Sequence, residues 1–355
     1  MALFKGMLKD GESIFLDSLA LDPEFTPPII KYRENQQQYI AICIKPLFQK
    51  RSGKNLFIFG SPGIGKTVAV RYILNELNKE TDEIETIYVN CWKKDTPYKI
   101  ALDICDQIGY KFVHDKDTAE LFKEVAKTIN KKSAVIVLDE ADKLIDNNLV
   151  YSLCDEFVRK SIILITNSGE WIAELDNRVR SRLTPDMLEF KSYNLEETKG
   201  ILKQRIEYAF VHNTIDNEVL DLISEKTYEA GDIRLGLFLL KEAGELSENR
   251  SSKKITMEDA EGAIKKLKNF QIKSTSNLDE DENMILNTIR DNSGKTSMEI
   301  FDLYKKLDGK QSYASYQRKL KNLERGKFIS LRVVNRGQPG RSTVVEWGYK
   351  RLDDF

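Results

Sequence analysis

The stretch Asn55-Leu56-Phe57-Ile58-Phe59-Gly60-Ser61-Pro62-Gly63-Ile64-Gly65-Lys66-Thr67-Val68 decides the fold. Residues 60–67 spell G-x-x-x-x-G-K-T, the phosphate-binding loop of nucleoside-triphosphate-hydrolysing proteins. A strand-like apolar run leads into the loop. An amphipathic stretch, Val68-Ala69-Val70-Arg71-Tyr72-Ile73-Leu74-Asn75-Glu76-Leu77, leaves it. Strand, glycine turn and helix start together aim backbone N–H groups and the positive helix end at one point, which suits a phosphate. Lys66 adds a point charge for the β- and γ-phosphates, and the Thr67 hydroxyl can ligate Mg²⁺. The loop Gly60 to Val68 is therefore the expected nucleotide cradle, for ATP or ADP.

Working outward, Ala134-Val135-Ile136-Val137-Leu138 is an uninterrupted apolar run, the pattern of a strand buried on both faces of a parallel sheet. It ends in Asp139-Glu140-Ala141-Asp142. Acids at the carboxyl end of a core strand lie where open α/β sheets bind ligands. Asp139 is assigned to the metal through water, and Glu140 to polarising the attacking water.

Further strands are expected at 55–60, 85–91, 161–166 and 186–190, separated by helical patterns. This is the βαβ alternation of a parallel sheet. From 194 to 268 the pattern is helical only, with N-caps at Asn194-Leu195-Glu196-Glu197 and Thr256-Met257-Glu258-Asp259. Residues 269–282 read as a linker. The rest reads helix, helix, helix and β-hairpin: Asn283–Ile289, a capping box at Thr296-Ser297-Met298-Glu299, a third helix Ser312–Glu324, then strands Phe328–Val334 and Ser342–Trp347. This is the order of a winged helix-turn-helix, whose third helix enters the major groove. The expected architecture is thus a P-loop α/β domain over residues 1–192, an all-α lid over 193–272 and a winged helix over 280–355.

Composition narrows the function. The 355 residues are 41% hydrophobic and 31% charged, so the chain can build cores and keep a solvated surface. Four scattered cysteines without a C-x-x-C pair argue against structural zinc and a disulfide framework, and for a reducing, cytoplasmic setting. Two distant histidines argue against histidine catalysis. No apolar run approaches membrane-spanning length, and the N-terminus lacks a signal-peptide core. The net charge of −1 hides an asymmetry. Residues 310–351 carry 11 Lys and Arg against 2 acids, whereas residues 1–309 carry 44 against 52. A basic block on an acidic body is the electrostatic footprint of a nucleic-acid reader. Within it, Arg336 and Arg341 on the hairpin tip are expected to meet phosphates or the minor groove. With Leu320 and Leu323 of the third helix inward, its other face is taken as Tyr313, Tyr316, Gln317, Lys319 and Lys321, expected to face the duplex, with Tyr316, Gln317 and Lys319 as candidates for base edges.

These segments together resemble archaeal Orc1/Cdc6-type replication initiators, AAA+ ATPases joined to a winged helix, over nearly the whole chain. Leu138–Leu144 resembles their Walker B segment, and Ile165-Thr166-Asn167 their sensor 1, in which Asn167 orients the hydrolytic water. Pro27–Glu34 resembles the segment that brings Arg33 near the adenine. Phe190–Tyr193 and Ile201–Arg205 match a segment whose tyrosine and arginine, here Tyr193 and Arg205, line the nucleotide pocket. Gly231-Asp232-Ile233-Arg234 resembles sensor 2, from which Arg234 reaches the γ-phosphate. Leu175–Leu183 resembles the arginine-finger box, with Arg182 first and Arg178 second by spacing. The resemblance implies slow, switch-type ATP hydrolysis with Mg²⁺. It also implies binding to double-stranded origin DNA as a nucleoid-associated protein, and recruitment or loading of an MCM-type helicase, with other initiator copies as further partners. Relatives also insert a DNA-touching helical element between the second strand and Walker B; residues 92–130 are the stretch with room for it here, and the acids of Gly109–Thr118 leave it unassigned. Two departures are visible: Ile64 replaces a usual Thr in the loop, and Gly236 replaces a usual Ala after sensor 2. A signalling or transposition-type ATPase, whose winged helix contacts protein, is the alternative.

Overall fold

The computed structural model describes residues 13–275, 279–307, 309–325, 328–335 and 341–347. The chain forms two compact units, Met1–Thr256 and Met257–Phe355.

The first unit begins with helix α1 (Glu34–Ile44) and strand β1 (Leu56–Phe59). The phosphate-loop motif then opens α2 (Lys66–Glu80), followed by β2 (Ile84–Asn90), α3 (Pro97–Gln107), α4 (Thr118–Ile129) and β3 (Ser133–Asp139). Next come α5 (Asn148–Glu156), β4 (Lys160–Ile165), α6 (Trp171–Glu174), α7 (Asn177–Leu183) and β5 (Asp186–Glu189). All strand pairs are parallel, in the order β2-β3-β4-β1-β5.

Every residue of β3 is buried, as its unbroken apolar run requires. Successive side chains point to opposite faces of a strand, and the core divides accordingly. Ala134, Ile136 and Leu138 join Phe57, Ile162 and Leu164 in a core with the inner faces of α3, α4, α5 and α7. Val135 and Val137 join Leu56, Ile58, Ile163 and Ile165 in a second core with α1 and α2. Helices on both sides of the sheet leave the carboxyl ends of β1, β3 and β4 as the crevice for a ligand. The stretch 92–130 folds mainly into α3 and α4. Both helices bury an apolar face, while Phe112 between them is 78% exposed.

The unit ends in helices α8 (Leu195–Ala209), α9 (Asn217–Ala230) and α10 (Ile233–Asn249). Asn194 and Glu197 form the reciprocal capping box expected at the start of α8. Gly231 closes α9 in a left-handed conformation at φ 65°, which glycine adopts without strain. Gly236 gains a packing reason. A Cβ there would lie 2.4 Å from Thr227 Oγ1 and 2.8 Å from Leu202 Cδ2, so the glycine lets α10 approach α8 and α9 closely.

The second unit starts with α11 (Met257–Thr275) and α12 (Glu280–Asp291). Then follow β6 (Lys295–Thr296), α13 (Ser297–Lys306), α14 (Tyr313–Arg325), β7 (Ile329–Asn335) and β8 (Arg341–Trp347). The expected linker over 269–282 is therefore corrected: α11 continues to Thr275, and Asp279 caps α12 in a box with Glu282. The acidic run is a helix start, where negative charge meets the positive helix end. Strands β6, β8 and β7 form an antiparallel sheet in that order. Ile285, Ile289, Ile300, Tyr304, Tyr316, Leu320, Leu323 and Val345 fill the core between sheet and helices.

Candidate functional site

The loop between β1 and α2 is built by its glycines. Gly63 (φ 74°) and Gly65 (φ 89°) take left-handed conformations, and Gly65 caps α2. Both are also crowded. A Cβ at Gly63 would meet Asp232 Oδ1 at 1.9 Å, and one at Gly65 would meet the Tyr193 hydroxyl at 2.8 Å. The start of α10 thus lies directly on the loop, and the Ile233 N–H donates to the Gly63 carbonyl at 3.2 Å. Ile64 is 1% exposed within the core under the loop, so its side chain is turned away from any phosphate. Ser61 and Pro62 stand exposed on the rim, and Thr67 and Val68 are half-buried in the first turn of α2.

Lys66 is buried, and its Nζ donates to the carbonyls of Gly60 (2.7 Å) and Ser61 (2.8 Å) and to Asn167 Oδ1 (3.0 Å). Burial pushes its pKa down to about 8, opposed by the negative charge of Asp139. Asn167, beyond β4, therefore sits beside the loop lysine. Asp139 is 2% exposed. Its Oδ2 accepts from the Thr67 hydroxyl at 2.7 Å and from the Tyr88 hydroxyl at 2.6 Å, and its Oδ1 accepts from the Glu140 N–H at 2.9 Å. Glu140 follows in a left-handed conformation at φ 53°.

Thr67 and Asp139 offer hard oxygen donors side by side at a helix N-terminus, a set that fits Mg²⁺ completed by phosphate oxygens and water. Among the described residues, no cluster of three or more His, Cys, Asp or Glu forms a metal cage of its own.

Arg33 is 4% exposed. Its Nη2 donates to the carbonyls of Ile64 (2.9 Å) and Lys191 (2.7 Å), and its guanidinium stacks 3.8 Å from the Tyr193 ring centroid. Arg33 and Tyr193 thus meet at the back of the loop and tie it to the chain after β5. Arg205, on α8, is bonded to backbone. Its terminal nitrogens donate to the carbonyls of Ala20 and Phe25, both at 3.0 Å, and its guanidinium lies over the Phe25 ring. Those bonds fasten the 20–25 segment to α8, and burial lowers its pKa to about 10. No bond from Arg205 to the phosphate loop is present among the described residues.

Arg234 pairs with Asp232, Nε to Oδ1 at 2.9 Å, and its charge is close enough to Lys66 to lower the lysine further. Arg182, on α7, pairs with Asp155 at 2.7 Å, each side chain 53% exposed. Arg178 pairs with the N-cap Asp176 at 3.3 Å and is 81% exposed.

In the second unit, α14 turns differently from the expectation. Tyr316 is fully buried: its hydroxyl donates to the Ser297 carbonyl at 3.0 Å, and it stacks on Tyr304. It belongs to the stripe Tyr316-Leu320-Leu323, whose i, i+4, i+7 spacing marks one helix face. Lys319 is largely covered and bonded to Asp279. Gln317 donates to Ser297 Oγ (2.8 Å) and to the Tyr313 hydroxyl (2.9 Å), and Tyr313 is 41% exposed. The open face carries Ala314, Arg318 and Lys321. Arg318 was passed over in the sequence, although it lies about half a helical turn away from the buried Leu320 and Leu323 and so faces outward. Arg336 lies outside the described residues, and Arg341 is the first residue of β8.

A parallel sheet with a phosphate loop, an acid at the end of β3, a polar sensor after β4 and a helical lid seated on the loop defines an AAA+ ATPase. Residues 49–169 match the family model described as an AAA domain, and residues 199–265 match the Cdc6 AAA+ ATPase-type lid domain. The chain belongs to the ORC1-type DNA replication proteins. It is 32% identical to ORC1-type DNA replication protein 1 of Sulfolobus acidocaldarius, over 95% of this chain and 91% of that one. It is 28% identical to ORC1-type DNA replication protein 2 of Methanothermobacter thermautotrophicus, over 98% and 96%. Among solved structures, the Aeropyrum pernix Orc1 protein in complex with DNA is similar, with a TM-score of 0.71 and 26% identity over 96% of this chain and 95% of that one. Membership sets aside the signalling-type alternative.

Proposed function

We propose that this protein is an ATP-switched replication initiator that binds origin duplex DNA and helps recruit or load the replicative helicase. The observation that carries the nucleotide half is the convergence of Lys66, Thr67, Asp139, Asn167 and the Asp232–Arg234 segment on one helix N-terminus. In this reading the loop amides and Lys66 hold the β- and γ-phosphates, and Thr67 and Asp139 hold Mg²⁺. The ion, when bound, neutralises phosphate charge. Glu140 and Asn167 orient the attacking water. Arg234 senses the γ-phosphate from the lid. Arg33 and Tyr193 hold the loop's shape. Arg182, exposed on α7, reaches the site of a neighbouring copy, and Arg178 is the second choice. A finger acting in trans makes the isolated chain a slow hydrolase, hence a switch.

For DNA, three helices and a hairpin in winged-helix order support a duplex reader, with α14 in the major groove. Family membership and the DNA-bound relative favour this use. In this reading the reader's face keeps Lys321 and gains Arg318, with Gln317 and Tyr313 at its edge. Tyr316 holds the helix from inside, and Lys319 is tied to Asp279. Arg336 and Arg341 remain the proposed phosphate or minor-groove contacts of the hairpin.

The two kinds of contact separate by experiment. Arg341→Ala is expected to weaken origin and random duplex alike and to reduce the salt slope by about one unit, because a phosphate contact releases counterions. Arg318→Ala is expected to cost about 1–3 kcal/mol on the origin duplex and less on random duplex. Fluorescence anisotropy on both duplexes across a salt series reads both effects. Equal losses on both duplexes for Arg318→Ala would remove it as a base reader.

A further inference from the structure

We propose that Tyr88, backed by Arg71, is a positioning pair that aims the Asp139 carboxylate at the magnesium ion. The proposal rests on the nucleotide reading above.

Tyr88 lies on β2, beside β3 in the parallel register Tyr88↔Val137 and Asn90↔Asp139. Its hydroxyl reaches across to donate to Asp139 Oδ2 at 2.6 Å. The Arg71 guanidinium sits 4.5 Å from the centre of the Tyr88 ring. Arg71 stands one helical turn after Thr67 on α2, and the Thr67 hydroxyl donates to the same Asp139 oxygen at 2.7 Å.

The contacts therefore close a ring: Thr67 to Asp139, Asp139 to Tyr88, Tyr88 to Arg71, and Arg71 back to Thr67 through one turn of α2. Helix α2 holds the carboxylate twice, once directly and once through the tyrosine. With Oδ1 occupied by the Glu140 N–H, each carboxylate oxygen has a fixed donor and the group cannot swing. A metal ligand oriented by such partners loses about 10–100-fold in metal affinity when they are removed. Tyr88 has a second consequence. A magnesium ion would engage a lone pair of Thr67 Oγ1 and leave its O–H donating to Asp139, so the phenol is a second, metal-independent donor that keeps Oδ2 in place.

The test is ATP binding to the full-length protein, followed by calorimetry while Mg²⁺ is titrated, with a parallel series in EDTA. Tyr88→Phe keeps the ring and removes only the donor. It is expected to raise the Mg²⁺ concentration needed for half-maximal ATP retention about tenfold and to leave metal-free ATP binding unchanged. Arg71→Met, which keeps the length and removes the charge, is expected to shift the midpoint in the same direction by a smaller factor. It also carries the test if Tyr88→Phe fails to fold. A Mg²⁺ midpoint within twofold of wild type in the folded variants overturns the positioning role. ATP uptake by the wild-type protein that is indifferent to Mg²⁺ overturns the metal site beneath it, a different failure.

Discussion

Lys66→Ala is expected to weaken ATP binding by roughly two orders of magnitude, about 3 kcal/mol, the scale of losing two charge-assisted contacts to phosphate. The lysine is buried against the loop carbonyls and Asn167, so it is already oriented where phosphate oxygens would lie. Its environment adds a pH signature. Burial holds the pKa near 8 against an ordinary 10.5, so the folded protein gives up this proton before the unfolded chain does. Between those values the unfolded state binds more protons, and this group's contribution to stability rises with pH across that window. Nucleotide affinity moves the other way. Phosphate favours the charged lysine, so binding near pH 8 takes up a proton and weakens as pH rises. Calorimetry in buffers of different ionisation enthalpy measures the uptake. Unchanged affinity in Lys66→Ala would refute the phosphate role.

The second large effect concerns turnover. Glu140→Gln is expected to leave ATP affinity within a few-fold and to lower hydrolysis by about 10²–10⁴, the range for removing a group that activates water. Glu140 emerges from β3 just beyond Asp139, its backbone turned by the left-handed φ of 53°. Arg182→Ala should produce a comparable loss only where copies assemble, because its present partner is Asp155 on the outer surface of its own chain. Single-turnover assays at high and low protein concentration separate the two variants. Fast hydrolysis at high dilution, insensitive to Arg182, would contradict the trans arrangement.

The ATPase half of the molecule was the more legible in sequence. A phosphate loop is local: glycine geometry, strand entry and helix exit sit in consecutive residues, so Gly60–Thr67 could be read alone. Asp139 could be singled out because strand-end positions follow from apolar runs, and Asn167 because Ile165-Thr166-Asn167 resembles sensor 1. Tyr88 and Arg71 were not found, because their partnership runs across β2, β3 and α2 and leaves no spacing signal. The bonds of Arg205 to the Ala20 and Phe25 carbonyls were illegible for a related reason, since their partners lie 185 and 180 residues away. In α14 the error was one of phase. An aromatic among basic residues reads as a DNA contact, yet Tyr316 lies one turn before Leu320 on the buried stripe, which leaves Arg318 outward. The acidic run at 279–282 was taken for a linker because charge density outweighed its capping pattern.

In the proposed function a nucleotide-holding body carries a reader of duplex DNA. Anisotropy of the full-length protein on an origin-repeat duplex and on a scrambled duplex, from low to physiological salt, tests it most directly. Tighter binding to the repeat at every salt concentration, with log affinity falling linearly in log salt, is the predicted result. No binding to either duplex at low salt would contradict it.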